Sequence, residues 1–195
     1  MSTRDRILNE TLTLFAENGY DGTSVEQIAE KVGIKAPSLY NHFRGKEDIL
    51  NTLIDITEAR YEELFGSDKH IGKLPESKEE FIRSETQRVS FSLYDPMIRN
   101  MRKFLVREQF RNEHFAEITT KHQLNGIQEM YSKIIKCMMI KGLFKDDDPE
   151  LLATELTAPV ALLIAKSDRQ PQYSQEIMQS IERHIRHFCD VYMVE

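Results

Sequence analysis

Apolar residues recur along this chain at intervals of three and four, the repeat that lines one side of a helix. Nowhere do apolar and polar residues alternate long enough to line one face of a strand. The pattern predicts an all-α fold of about nine helices. Leu8, Leu12 and Phe15 mark a first helix over residues 3–18, closed by Asn18 and a Gly19 suited to the left-handed conformation. Val25, Ile28, Ala29 and Val32 mark a second helix of about nine residues, stopped by Gly33, with Thr23 and Glu26 at capping-box spacing. Pro37 suits the first turn of a short third helix, residues 36–43. The register Leu50, Leu53, Ile54, Thr57, Tyr61, Leu64 carries a long fourth helix from Lys46 to near Gly66.

Residues 66–76 read as a loop, with two Gly and one Pro. Ser77 and Glu80 have the spacing of a second capping box, and helices are expected over 77–94, 96–110 and 112–141. Asp95-Pro96 and Asp148-Pro149 each place a side-chain acceptor ahead of a proline at the first helical position, so the acidic run 146–148 reads as a helix start rather than a metal site. Residues 151–165 are apolar on most faces, with Pro159 expected to bend the helix, and Ile177, Ile181, Ile185, Phe188 and Tyr192 line one stripe of the last helix. Such a pair is either the core of a helical domain or one half of a four-helix dimer interface.

The length of 195 residues allows one large domain or two small ones, and a composition of 40% hydrophobic and 30% charged residues is that of a globular chain. No apolar stretch is long enough for a membrane helix, and the start MSTRDRILNE lacks the apolar segment of a secretory signal, so a cytoplasmic chain without membrane contact is expected. Cys137 and Cys189 suit reduced thiols better than a disulfide framework or a zinc site. His184 and His187 lie on one helix face with no third ligand fixed beside them except Cys189. None of the phosphate-loop, dinucleotide, nucleophile-elbow or zinc-protease motifs occurs. Neither catalysis nor a cofactor is expected.

A net charge of −6 argues against a nucleic-acid partner until its distribution is read. Residues 1–46 balance six basic against six acidic side chains, so the whole excess of acid lies in residues 47–195. Within the first part, residues 31–46 carry Lys31, Lys35, Arg44 and Lys46 with no Asp or Glu, interleaved with Tyr40, His42 and Phe43. In residues 24–43, SVEQIAEKVGIKAPSLYNHF, Ala29, Gly33 and Leu39 supply the small residue, turn glycine and core anchor of a helix-turn-helix. Burying Val25, Ile28, Val32, Ile34, Leu39 and Phe43 turns Lys35, Ala36, Ser38, Tyr40, Asn41 and His42 outward or to the sides. Apart from Lys35 that face is small, polar and uncharged, which suits base edges and phosphates better than bulk water.

Three motifs in order carry a wider likeness: G-Y-x-x-T-S-V-x-x-I-A-x-x-V-G from Gly19, S-L-Y-x-H-F from Ser38 and G-K-E-x-x-L from Gly45. Residues 4–50 resemble the DNA-binding domain of the TetR family of bacterial transcription regulators. The resemblance implies a helix-turn-helix domain over residues 1–46 and a helical effector-binding and dimerisation domain over 47–195. It also implies a homodimer whose third helices enter successive major grooves of a double-stranded operator, about 34 to 36 Å apart. Lys35, Ala36, Pro37, Ser38 and Asn41 are then candidates for base edges or thymine methyls. Thr23 and Ser24 would offer the N-terminus of the second helix to a phosphate, and Tyr40, His42 and Lys46 would hold the backbone. Lys46 opens the fourth helix, where a cation opposes the helix dipole unless a phosphate shares the site.

By the same resemblance a small, partly apolar effector would bind among the helices of residues 77–165 and release the operator by moving the fourth helix. Phe91, Tyr94, Met97, Met101, Phe104 and Met130 are candidate pocket walls, with His122 or Gln123 as orienting polar groups, and the last two helices would join the dimer. Two alternatives stay open: a helical carrier or enzyme whose first unit does not read DNA, and a DNA-binding regulator controlled by a protein partner.

Overall fold

The structure, a computed structural model, describes residues 1–65, 73–111 and 113–194, with side chains for all of these except 64, 65, 122 and 123. Its elements are α1 (Thr3–Asn18), α2 (Val25–Val32), α3 (Ala36–Leu39), α4 (Lys46–Phe65), α5 (Lys78–Tyr94), α6 (Pro96–Glu108), α7 (Glu113–Thr120), α8 (Gly126–Ile140), α9 (Pro149–Arg169) and α10 (Ser174–Tyr192). A π turn spans Lys121–Asn125 and a 3-10 turn Pro171–Tyr173. Among the described residues the one extended pairing is an isolated antiparallel bridge between Phe144 and Met193. The fold is all-α, with ten α-helices among the described residues in place of nine.

The extra helix comes from residues 112–141, expected as one element. They form α7 and α8, separated by the π turn, which the Gly126 amide closes by donating to the Lys121 carbonyl. A Cβ at Gly126 would stand 2.6 Å from that carbonyl oxygen, so only glycine lets the wider turn close unstrained. Asn112, and residues 66–72 of the expected loop, lie outside the described residues. At α9 the expected cap is present: the Asp148 carboxylate accepts from the amides of Glu150 and Leu151 at 2.9 and 3.3 Å. The helix continues through Pro159.

The chain forms two compact units, each drawn from two stretches of the sequence. Unit 1 is Met1–Glu63 with Pro96–Thr119, and unit 2 is Leu64–Asp95 with Thr120–Glu195. The reason lies in α6 and α7, whose aromatic side chains complete the core of α1. Phe104 is fully buried, stacked on Phe15 at 5.3 Å and met edge-on by Phe115 at 5.3 Å.

Unit 2 buries Phe81, Tyr131, Ile134, Leu152, Ile181 and Phe188 in one cluster. Inside it the carboxylate of Glu85, 2% exposed, accepts from the Tyr131 hydroxyl and pairs with Arg88 at 2.6 Å. Burial pushes the Glu85 carboxyl up, opposed by the Arg88 charge, and pushes the Tyr131 phenol well up. Cys189 of α10 is buried and its thiol is pushed up to about 12 by desolvation. Native protein treated with iodoacetamide at about pH 8 should therefore leave Cys189 unmodified, with both cysteines labelled only after unfolding, as peptide mass spectrometry would read.

Candidate nucleic-acid interface

In unit 1, α2 is held by Ile28, Ala29 and Val32, each at most 2% exposed, and α3 by Leu39, fully buried, with Phe43 behind it at 2%. Gly33, in the left-handed conformation, closes α2 and sets the sharp turn into α3. α3 is shorter than expected. It ends at Leu39, and the chain tightens beyond it, the amides of Asn41 and His42 reaching back three residues to the carbonyls of Ser38 and Leu39. Lys35, Pro37, Tyr40, Asn41 and His42 are exposed, with Tyr40 at 57%, while Ala36 and Ser38 are half-buried.

The remaining three site residues behave differently. Thr23 is buried at 1%, its hydroxyl donating to the Gly19 carbonyl at 2.9 Å, so its side chain locks the turn before α2. The cap of α2 is one residue later than the spacing suggests: the Ser24 hydroxyl accepts from the Gln27 amide at 3.2 Å, and the Gln27 side chain accepts from the Ser24 amide at 2.8 Å. Glu26 adds a carboxylate at that helix start, its acidity raised by its own backbone amide and by Ser24, where a phosphate was expected. Lys46 is committed within the chain. Its ammonium donates to the carbonyls of Tyr20 and Thr23 at 2.6 and 2.9 Å and lies 4.1 Å from the Tyr20 ring centre. Those carbonyls supply the negative partner that a cation opening a helix needs.

Two arginines that the reading by spacing passed over stand beside these groups. Arg4 lies 4.7 Å over the Phe43 ring and is otherwise exposed, and Arg6 donates to the Val32 carbonyl at the end of α2. Their sequence signal is slight: both sit on the polar side of α1, like any solvated base.

The profile described as bacterial regulatory proteins, tetR family, matches residues 7–53, the stretch just built from α1 to the start of α4. Over residues 7–53, about a quarter of its length, the chain is similar to the TetR family. The biofilm operon icaADBC negative transcriptional regulator IcaR of Staphylococcus epidermidis is 29% identical over 125 residues, 49% of this chain and 68% of that one. The regulator of the same name from Staphylococcus aureus (strain Newman) is 50% identical over 46 residues, 24% of this chain and only a quarter of that one. Among solved structures, SmeT, repressor of the Stenotrophomonas maltophilia multidrug efflux pump SmeDEF, superposes with a TM-score of 0.69 at 16% identity over 100% of this chain and 92% of its own. SmeT in complex with triclosan gives 0.74 at 16% identity, over 100% and 93%. A Rhodococcus transcriptional regulator gives 0.65 at 20% identity over the full length of both. At these identities the structural likeness is one of fold. The helix-turn-helix of unit 1 is thus that of a DNA-binding transcriptional regulator.

The candidate effector residues divide between the two cores. Met101 and Phe104 are buried in unit 1 and Met97 packs half-buried against the same cluster. Met130 packs half-buried against the core of unit 2, Phe91 is half-buried, and the Tyr94 hydroxyl donates to the Ser174 carbonyl at 3.3 Å. The side chains of His122 and Gln123 lie outside those described. Among the described residues no helix is long and apolar enough to cross a membrane.

Proposed function

We propose that the chain is a cytoplasmic repressor that binds a double-stranded operator as a homodimer and is released by a small, partly apolar effector. The observation that carries the reading is the exposed, nearly uncharged polar face of Lys35, Tyr40, Asn41 and His42, with a half-buried Ser38 among them, mounted on a buried Leu39 and Phe43. Lys35, Ser38 and Asn41, with Ala36 and Pro37, would read base edges, while Tyr40, His42 and Arg4 would meet phosphates. Thr23, Ser24 and Lys46 would serve by holding the frame, with the N-terminal end of α2 as a lesser phosphate contact. α9 and α10 would join the dimer, and the SmeT–triclosan complex supports a small organic effector. Phe91, Tyr94 and Met130 are proposed as pocket walls in unit 2, oriented by His122 or Gln123. Met97, Met101 and Phe104 would respond from the other core.

Titration of labelled duplex from the flank of its own gene tests the reading. Tyr40→Ala should keep the melting temperature and weaken binding about tenfold, the scale of one good contact. Arg4→Ala should lower the slope of log K against log salt by about one. Unchanged affinity in both variants would remove this contact set.

A further inference from the structure

The turn between α1 and α2 carries an unusual number of restraints from outside the helix-turn-helix. α1 has no basic residue in its last turn, although the carbonyls there favour a cation. Arg107, near the end of α6, supplies one, its guanidinium donating to the Glu17 carbonyl at 2.7 Å. The next residue, Glu108, is 2% exposed, and its carboxylate stands 2.5 Å from where a Cβ at residue 19 would be. Residue 19 is a glycine with φ of 81°, a backbone conformation that disfavours any side chain. The Glu108 Oε1 has no hydrogen-bond partner among the described residues, and Arg111 stands off at 3.9 Å. A buried carboxylate left so is costly and persists where its position is worth more than its solvation.

These two side chains stand against the turn that leads into the helix-turn-helix. The Gly19 carbonyl accepts the Thr23 hydroxyl, and Thr23 immediately precedes the Ser24 cap of α2. The Tyr20 ring between them tilts against Phe15 at 5.4 Å and Phe115 at 6.5 Å. Base-edge hydrogen bonds hold over a few tenths of an ångström, so a small shift of this turn, carried through α2 to α3, is enough to break them. We infer that Arg107 and Glu108 are positioning residues for operator reading, fixing the α1–α2 turn from α6 without touching DNA. The inference rests on the DNA-binding reading above.

The full-length chain, with Arg107→Ala, Arg107→Lys, Glu108→Ala and Glu108→Gln, decides it by duplex titration at several salt concentrations and hydrogen exchange over residues 17–24. Arg107 is exposed, so its replacement leaves the fold intact. Arg107→Ala should weaken operator binding about two- to tenfold, the span of one net hydrogen bond, Glu108→Ala should weaken it measurably by removing the side chain that stands against Gly19, and both should speed exchange at the Gly19 and Thr23 amides. The salt slope should not move, whereas loss of a phosphate contact would lower it by about 0.9. Arg107→Lys, which keeps a donor, and Glu108→Gln, which keeps the shape, should recover most of the affinity. A lowered slope, or alanine variants with wild-type affinity and exchange, would overturn the inference. If the wild-type chain binds no duplex the repressor reading fails instead, and unchanged exchange then still sinks the claim that α6 holds the turn.

Discussion

Replacing Leu162 by Arg should leave each chain folded while converting the dimer proposed above to monomers. Leu162 is 72% exposed in α9, and the run TAPVALLIA, residues 157–165, contains no charged side chain and no buried residue within the single chain. Soluble proteins seldom leave so long an uncharged apolar surface to water. In a two-fold dimer the same patch meets itself, so one substitution places two guanidinium groups in the interface without partners. A loss of at least about 3 kcal/mol follows, more than a hundredfold in the dimer dissociation constant. Operator binding should fall with it, because half-sites one helical turn apart are gripped together only while two heads are joined. Light scattering and sedimentation at micromolar concentration read the oligomer, and duplex titration reads the function. A variant that stays dimeric, or a wild-type chain that is already monomeric, would place the interface elsewhere or remove it.

The apolar run was legible because it breaks a local rule, the expectation of one polar face, that needs no knowledge of neighbours. The same holds for α1, α2 and the start of α4, whose stripes, glycines and prolines act within a few residues. What local periodicity cannot carry is which stripe meets which. α5 and α6 are separated only by Asp95, yet Leu93 packs in one core and Ile98 and Phe104 do not share that cluster. Nothing in either stripe marks the change. Glu85 and Arg88, three residues apart, look like an ordinary surface ion pair, and only Tyr131, 46 positions away, reveals the pair as buried. At the site the errors were small in register but large in meaning. Thr23 and Ser24 are both good cap residues, and which of them turns inward was decided by the Gly19 carbonyl, formed by a turn that the spacing does not describe.

Lys46 is where the two interpretations of one residue separate most sharply in the laboratory. Were it a phosphate contact alone, Lys46→Met would leave stability untouched and lower the salt slope of DNA binding by about one. As the clamp of the α1–α2 turn it instead loses two charge-assisted bonds, to Tyr20 and Thr23, and its attraction to the Tyr20 ring. Methionine keeps the length and the apolar stem, so the change isolates the ammonium. Bonds to charged groups and a partly exposed cation–ring contact together amount to about 2 to 3 kcal/mol once half-burial is discounted. For a chain of this size that is a fall in melting temperature of about 5 to 10 °C. Lys46→Arg, with more donors on a stiffer fork, should restore only part, since a planar guanidinium cannot cap two carbonyls and cover the ring as a compact ammonium does. Operator affinity should drop at least as far as for Tyr40→Ala, with a nearly unchanged salt slope, because the turn that orients α2 would have lost its anchor on α4. A variant that melts like the wild type and changes only the slope would return Lys46 to the phosphate contacts.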